Sequence, residues 1–497
     1  MPRPNVVIIM TDQQRADVSA RYGFPLDTTP FLDRLASQGV WFSRAYTAAP
    51  VCGPARVSML TGRYPSATRV RENRGTGYAT YEQDLIDVLR GLGHATAMIG
   101  KNHSHLSPER VDHWFPLSHS GGWGEERTPQ ERAFDQWLRE LNHGVAQEPT
   151  PFPVECQGPC RAVSDAQEWI RSLKSAGDPF FLWLTFAEPH NPYQVPEPYF
   201  SMFPPATLPP VQVGGEALSQ KGFKWQWTRQ LGEYVYPNYE ELLPRMRASY
   251  FGMLRLINDQ IRRFVDWLDA QGIRENTIIV FLSDHGDFVG EYGLMRKGPE
   301  MPDILNRIPL LFAGAGIQAH EGAHWAHVSI VDIMPTLCEA VGKDLPRGVQ
   351  GRSLWPLLTG DDFPSAEFES VYAEQGVGGR HYREEDDPDF EHCLIPGPKG
   401  PTFDCLNSYS QSGIMRMVRK GDWRLVFDMQ GRGQLYNLAE DPMELNNLYE
   451  DPRYVNIQRE MLAELLMWTL RSQDPLPYPK DKYMVKEDPR NFWAPYR

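Results

Sequence analysis

The chain has 497 residues, 41% hydrophobic and 23% charged, enough to bury a large core without disulfide staples. Its 50 basic and 64 acidic side chains leave a formal net charge of −14, the wrong sign for a nucleic-acid or anionic-membrane binder. A small anionic substrate remains compatible, since a few local cations hold one.

Met1–Asn5 carry no apolar stretch of a signal peptide, and no run reaches the roughly 20 residues of a membrane helix. The expectation is a cytoplasmic protein, or a periplasmic one if a leader has been removed. Val6-Val-Ile-Ile-Met10 is the unbroken apolar run of a strand buried on both faces of a parallel sheet, and Thr11-Asp12-Gln13 follow it. Similar runs recur at Thr96–Ile99, Phe180–Phe186, Thr277–Leu282 and Ile308–Ala313. Helical stripes lie between them: Leu85, Val88, Leu89 and Leu92; Val163, Ala166, Trp169, Ile170 and Leu173; then Tyr250, Met253, Leu254, Ile257, Ile261, Phe264 and Leu268. This alternation predicts an α/β fold, a large and mostly parallel sheet sandwiched by helices. Ligands of such sheets bind beyond the carboxyl ends of the strands. Two polar clusters fall there, Thr11-Asp12-Gln13 and Ser283-Asp284-His285-Gly286-Asp287.

The pattern changes near Pro364, dividing the chain into residues 1–364 and 365–497. Short strand-like pieces at Ser370–Ala373, Gly413–Val418, Trp423–Phe427 and Gln434–Leu438 precede a helix near Val455–Leu470, which reads as a smaller antiparallel sheet with a helix on it. The stretch Glu374–Ser412 is long, polar and rich in Gly and Pro, the composition of a functional or disordered loop. The tail from Asp474 to Arg497 is rich in Pro and aromatics and is expected to pack over another surface. Cysteines at 52, 156, 160, 338, 393 and 405 are too scattered for a disulfide framework. Cys156 and Cys160 have no second pair at metal-ligand spacing, and Cys338 lies on an apolar helical face.

Cys52 stands apart. In Ala48-Ala-Pro-Val-Cys52-Gly-Pro54-Ala-Arg56-Val-Ser-Met-Leu-Thr61-Gly-Arg63, a Cys with Pro two places on and Arg four places on opens an apolar helical segment. Composition alone gives roughly 0.05 such triplets by chance. With the segments around it, the sequence resembles the formylglycine-dependent sulfatases of the alkaline phosphatase superfamily. Gly100-Lys101-Asn102-His103 is similar to the family's Gly-Lys-X-His, with Asn where Trp is commoner, and Pro189-His190-Asn191-Pro192 to its Pro-His-X-Pro. Lys297-Gly298 followed by Arg307-Ile308-Pro309 matches its late lysine, and Gln434–Leu448 its closing signature.

The resemblance implies an enzyme whose Cys52 is oxidised to formylglycine by a formylglycine-generating enzyme. It implies one divalent metal ion held by Asp12, Gln13, Asp284, His285 and the modified residue 52, although many relatives carry Asp where this chain has Gln13. Oxygen ligands with one imidazole suit a hard ion, Ca²⁺ first and Mg²⁺ or Mn²⁺ next. An aldehyde hydrate offers one hydroxyl to attack while the other collapses to expel sulfate, a better nucleophile than a thiol with no evident base beside it. Arg56 would hold this region and its charge. Lys101 and His103 flank the hydrate, His103 as the base for its collapse, and His190 and Lys297 serve the leaving group. His105, Arg74 and His381 are weaker substrate-contact candidates. Asp287 is read as shaping its turn, and Glu384–Asp389 as a solvated loop, with repulsion of long polyanions from the pocket rim as the alternative. Trp114, Trp123, Trp225 and Trp227 offer stacking surfaces for sugar rings.

The function so implied is hydrolysis of an organic sulfate monoester, a sulfated carbohydrate first, with a homo-oligomer compatible. A phosphonate monoester or phosphodiester hydrolase on the same scaffold is the alternative, because the ligand pattern does not separate them. An unmodified anion-binding relative is disfavoured by the intact Cys52, Pro54 and Arg56.

Overall fold

Along the first strand, Val6, Ile8 and Met10 feed one apolar cluster while Val7 and Ile9 feed another. That is the signature of a strand with helices on both sides. The computed structural model describes residues 3–122, 127–173, 177–377, 383–386, 396–397, 400–401, 413–473 and 489–494. Its main sheet contains β1 (Asn5–Asp12), β2 (Val40–Tyr46), β3 (Ala95–Gly100), β4 (His113–Ser118), β5 (Gly121–Gly122), β6 (Phe180–Pro189), β7 (Thr277–Ser283), β8 (Leu310–Gly314) and β9 (Ala323–Ser329). The spatial order is β5-β4-β3-β6-β1-β7-β8-β2-β9.

One face is covered by the Pro30–Ala36, Gly158–Ser172 and Tyr239–Ala270 helices, through Phe31, Leu32, Val163, Ile170, Ile257 and Phe264. The other carries the Cys52–Thr61, Leu85–Gly91 and Ile333–Ala340 helices. That cluster runs on into a four-stranded antiparallel sheet of Ser370–Gln375, Met415–Lys420, Trp423–Asp428 and Gly433–Asn437, packed by the Val455–Gln473 helix through Met461, Leu465 and Trp468.

The sheet departs from the expected parallel order at β8, which runs antiparallel to both β7 and β2. No crossover helix returns the chain to the bottom of the sheet after β7. Residues 284–309 instead pass over the strand ends and lead straight back down. β2, β4 and β9 escaped the reading for apolar runs because each carries polar or half-buried positions, such as Arg44, His113 and His324.

Register sets the site. β1 and β7 pair with Thr11 opposite Ser283, so Asp12 and Asp284 leave the sheet side by side. β3 and β6 pair with Gly100 opposite Thr185, which delivers Lys101 to the same edge. Gly100 has φ 107°, and a β-carbon there would overlap the Thr185 carbonyl oxygen. Only glycine permits that approach. Gly100→Ala is therefore expected to cost at least about 1–3 kcal/mol in urea denaturation. An unchanged unfolding midpoint would show that the β3–β6 approach tolerates a side chain.

Candidate active site

The Cys52–Thr61 helix starts at Cys52 itself, with Val51 as an extended N-cap and Pro54 in the first turn, where its missing N–H costs nothing. All ten residues are buried, and Gly62 closes the helix at φ 63°. Its positive dipole end thus carries the cysteine into the cleft. Asn73 accepts the Gly53 N–H at 2.9 Å and fixes this first turn.

Cys52 Sγ lies 3.2 Å from His285 Nε2 and 3.7 Å from Asp12 Oδ1. So the cysteine does have an imidazole beside it, which the sequence did not show. His285 Nδ1 faces the Gly286 carbonyl at 2.9 Å. A carbonyl only accepts, so Nδ1 carries a proton and Nε2 is the atom turned to Cys52; burial acts to lower this imidazole, but Asp284 and Cys52 outweigh it and push it up. Burial and Asp12 act to raise the Cys52 thiol, but Lys101, Lys297 and His285 outweigh them and hold it well below the ordinary thiol value.

Arg56 is fully buried between the two carboxylates. Its Nε donates to Asp284 Oδ2 at 2.9 Å, and its second terminal nitrogen to Asp12 Oδ2 at 3.0 Å. The remaining nitrogen donates to the Lys101 carbonyl (2.6 Å) and Thr185 Oγ1 (2.8 Å). Arg56 therefore holds the carboxylates rather than residue 52 directly. Burial and then the neighbouring Asp12 push the Asp284 carboxyl up, whereas Lys101 and Arg56 overcome burial to hold Asp12 well below the usual range.

One ligand atom each from Asp12, Cys52, Asp284 and His285 lies within 4.8 Å of all the others. Ligands on opposite sides of an ion at about 2.4 Å stand about 4.8 Å apart, so the group fits one divalent cation. The donor chemistry also fits. Arg56 takes the Oδ2 atoms and leaves Asp12 Oδ1 to Cys52, while sulfur is the one donor a hard ion disfavours, a mismatch that oxidation of Cys52 to an oxygen donor removes. Gln13, in a left-handed turn at φ 68°, donates its backbone N–H to Asp284 Oδ1 at 3.0 Å. Its amide NH₂ is held by Asp287 Oδ2 at 2.6 Å, and its Oε1 accepts from Lys297 Nζ at 3.2 Å. Asp287 also accepts the Val289 and Arg296 N–H groups, so it braces both its own turn and Gln13.

On the opposite wall, Lys101 Nζ donates to Asp12 Oδ2, stands 3.9 Å from Cys52 Sγ and lies 2.7 Å from His119 Nε2. Lys297 Nζ is 3.4 Å from His190 Nε2, whose Nδ1 faces the Asn191 carbonyl at 2.8 Å. The His119 and His190 rings stack with centroids 3.9 Å apart. Nothing in the sequence motifs marked His119. Its one signal is position, directly after β4 at the carboxyl edge of the sheet.

Several sequence candidates land elsewhere. His103 sits at φ 43° and, among the described residues, hydrogen-bonds none of these side chains; the imidazole beside Lys101 is His119. His105 is not a solvated loop residue. Its Nε2 binds Asp84 Oδ2 at 2.7 Å, its side chain is 3% exposed, and Asp84 is the N-cap of the Leu85–Gly91 helix. Trp225 and Trp227 are buried, Trp225 against Phe288 and Tyr292, so these two rings are closed to a sugar, while Trp114 is half-buried against the core. Arg74 is exposed on the Asn73–Tyr78 turn that lies over Gly53. Glu384 and Glu385 are exposed. His381 and Trp123 lie outside the described residues.

The comparisons agree with this architecture. The Sulfatase family model matches residues 4–343, and the chain belongs to that family of hydrolases, whose members use a divalent metal and a formylglycine. It is 29% identical to an arylsulfatase of Clostridium perfringens over 91% of each chain. It is 24% identical to an N-acetylglucosamine-6-O-sulfatase of Bacteroides thetaiotaomicron, covering 98% of this chain and 90% of that one. The fold is similar to the phosphonate monoester hydrolase from Silicibacter pomeroyi, with a TM-score of 0.75 at 21% identity over 99% and 100% of the two chains.

Removing Arg56 takes the guanidinium from buried Asp284 and leaves Asp12 with Lys101 alone. Arg56→Ala is expected to lose about 3–5 kcal/mol in denaturant titrations of the metal-free protein, and added Ca²⁺ or Mn²⁺ to restore part of it. If no divalent ion raises the melting temperature of either protein, these four side chains are not an ion site.

Proposed function

We propose that the protein is a sulfatase cleaving an organic sulfate monoester, a sulfated carbohydrate first, with Cys52 matured to formylglycine by a formylglycine-generating enzyme. The observation that carries this reading is Cys52 at the head of its buried helix, inside a group of metal-fitting ligands and ringed by Lys101, Lys297 and Arg56. Asp12, Asp284, His285 and residue 52 would hold the ion, with Gln13 beside them and Ca²⁺ the first choice. The ion and the aldehyde hydrate would supply charge neutralisation and the attacking hydroxyl.

The side chains of this chain do the rest. Arg56 keeps the Asp12 and Asp284 oxygens aimed at residue 52. Lys101 and Lys297 bring fixed positive charge to the place where ester oxygens gain negative charge. His190 Nε2 accepts from the Lys297 ammonium, so the Lys297–His190 couple holds the proton that the leaving alkoxide takes. Arg74, exposed on the turn whose Asn73 and Thr76 lie over Gly53, is a candidate to meet a second anionic group on the substrate. The sugar preference draws support from the N-acetylglucosamine-6-O-sulfatase relative. A phosphonate monoester hydrolase is the second reading, supported by the likeness to the Silicibacter pomeroyi enzyme.

Protein made with the maturing enzyme should show residue 52 roughly 18 Da lighter by mass spectrometry; full activity with an intact thiol would sink the nucleophile assignment. Turnover of sulfated mono- and disaccharides, aryl sulfates and phenyl phosphonates by that protein decides between the two readings. His190→Ala should lose about 100-fold in kcat on alkyl esters and under about tenfold on nitrophenyl esters, whose leaving groups need no proton. Equal losses on both would remove His190 from that role.

A further inference from the structure

The ammonium of Lys101 reaches Cys52 from the end of a flexible four-carbon stem, and such a stem does not locate itself. Two acceptors hold it: Asp12 Oδ2 and, at 2.7 Å, His119 Nε2. An ammonium has three N–H bonds. With two of them taken, the third is left for Cys52 Sγ at 3.9 Å. We infer that His119 is a positioning residue, fixing the Lys101 ammonium toward residue 52 at Nε2 while its stacked ring fixes the plane of His190. This rests on the reading of the cleft as the ester-cleaving site.

The protonation pattern carries the inference. Lys101 Nζ only donates, so His119 Nε2 must accept, and the neutral ring keeps its proton on Nδ1. Burial, followed by Lys101, holds His119 neutral, well below the ordinary imidazole value. That Nδ1–H is buried and has no acceptor among the described residues. A buried donor without an acceptor is a net cost, which a ring kept for packing alone would avoid by being Phe or Leu. The Nε2 end is what repays it.

A second couple mirrors the first. Lys297 Nζ lies between Gln13 Oε1 and His190 Nε2, and the His190 ring lies on His119 at 3.9 Å and 25°. Lys101 is thus held by Asp12 and one imidazole and Lys297 by Gln13 and another, and the two imidazoles touch face to face. Displacing the His119 ring disturbs the nucleophile side and the leaving-group side together.

Two variants separate the functions of the ring. His119→Phe keeps a ring on His190 and removes the acceptor for Lys101. His119→Gln keeps an acceptor and removes the stack. Matured enzymes, checked for residue 52 content by mass spectrometry and for folding by thermal melting, would be assayed on nitrophenyl and alkyl sulfates. For H119F, kcat should fall about 100-fold on both substrates with KM within about threefold. H119Q should recover most of that loss on the aryl ester and little on the alkyl ester, where the His190 plane matters. A crystal structure of unmatured H119F should show Lys101 Nζ withdrawn from Cys52 Sγ. A folded H119F with wild-type kcat, or with Lys101 unmoved, overturns the inference. A wild-type enzyme inert on every ester instead defeats the reading of the cleft, and the position of Lys101 in H119F still tests His119.

Discussion

Two carboxylates stand at the tips of adjacent parallel strands, both fully out of water, and one guanidinium holds them there. Asp12 and Asp284 repel each other at that separation, and burial strengthens the repulsion. Arg56 answers both at once because its fork presents a donor to each, and its remaining nitrogen is spent on Lys101 and Thr185. A lysine offers a single point charge and no such fork. The clamp also decides direction. With both Oδ2 atoms on Arg56, Asp12 Oδ1 faces Cys52 at 3.7 Å and Asp284 Oδ1 lies 3.7 Å from His285 Nε2.

Around this clamp the cleft alternates fixed cations with neutral rings. Lys101 and Lys297 bring positive charge, while burial, ahead of the neighbouring charges, keeps His119 and His190 unprotonated. Each imidazole accepts from one ammonium. The protons are therefore held on amines, next to rings able to receive them. A pocket arranged this way favours a small oxyanion and defines where protons rest before an ester arrives.

Much of the scaffold was legible from pattern. Runs such as Val6–Met10 and Thr277–Leu282 can only be strands covered on both faces, and the clusters that follow them are where ligands of such sheets bind. The four short strands and final helix of the smaller sheet were also visible. Mixed strands such as β4 and β9 were not, because polar residues, half-buried in β4 and buried in β9, break the apolar run. For the same reason the histidine that follows β4 went unmarked. His105 shows the converse. Its place two residues after His103 suggested the cleft, yet the buried Asp84 carboxylate at a helix start binds it more strongly than open solvent does.

Sequence by itself determined which residue types stand at the strand ends, that Cys52 opens a buried helix, and that the chain is of the sulfatase kind. Those facts are local, set by periodicity, the position of a proline and the order of motifs along one strand of text. Tertiary structure alone decided who pairs with whom. Register between β1 and β7 brought Asp12 to Asp284, and between β3 and β6 brought Lys101 to the same edge. Hydrogen bonds across 18 to 284 residues then chose His119 for Lys101 and Gln13 for Lys297. Such contacts depend on distance and on which atom must donate, quantities that no linear spacing encodes.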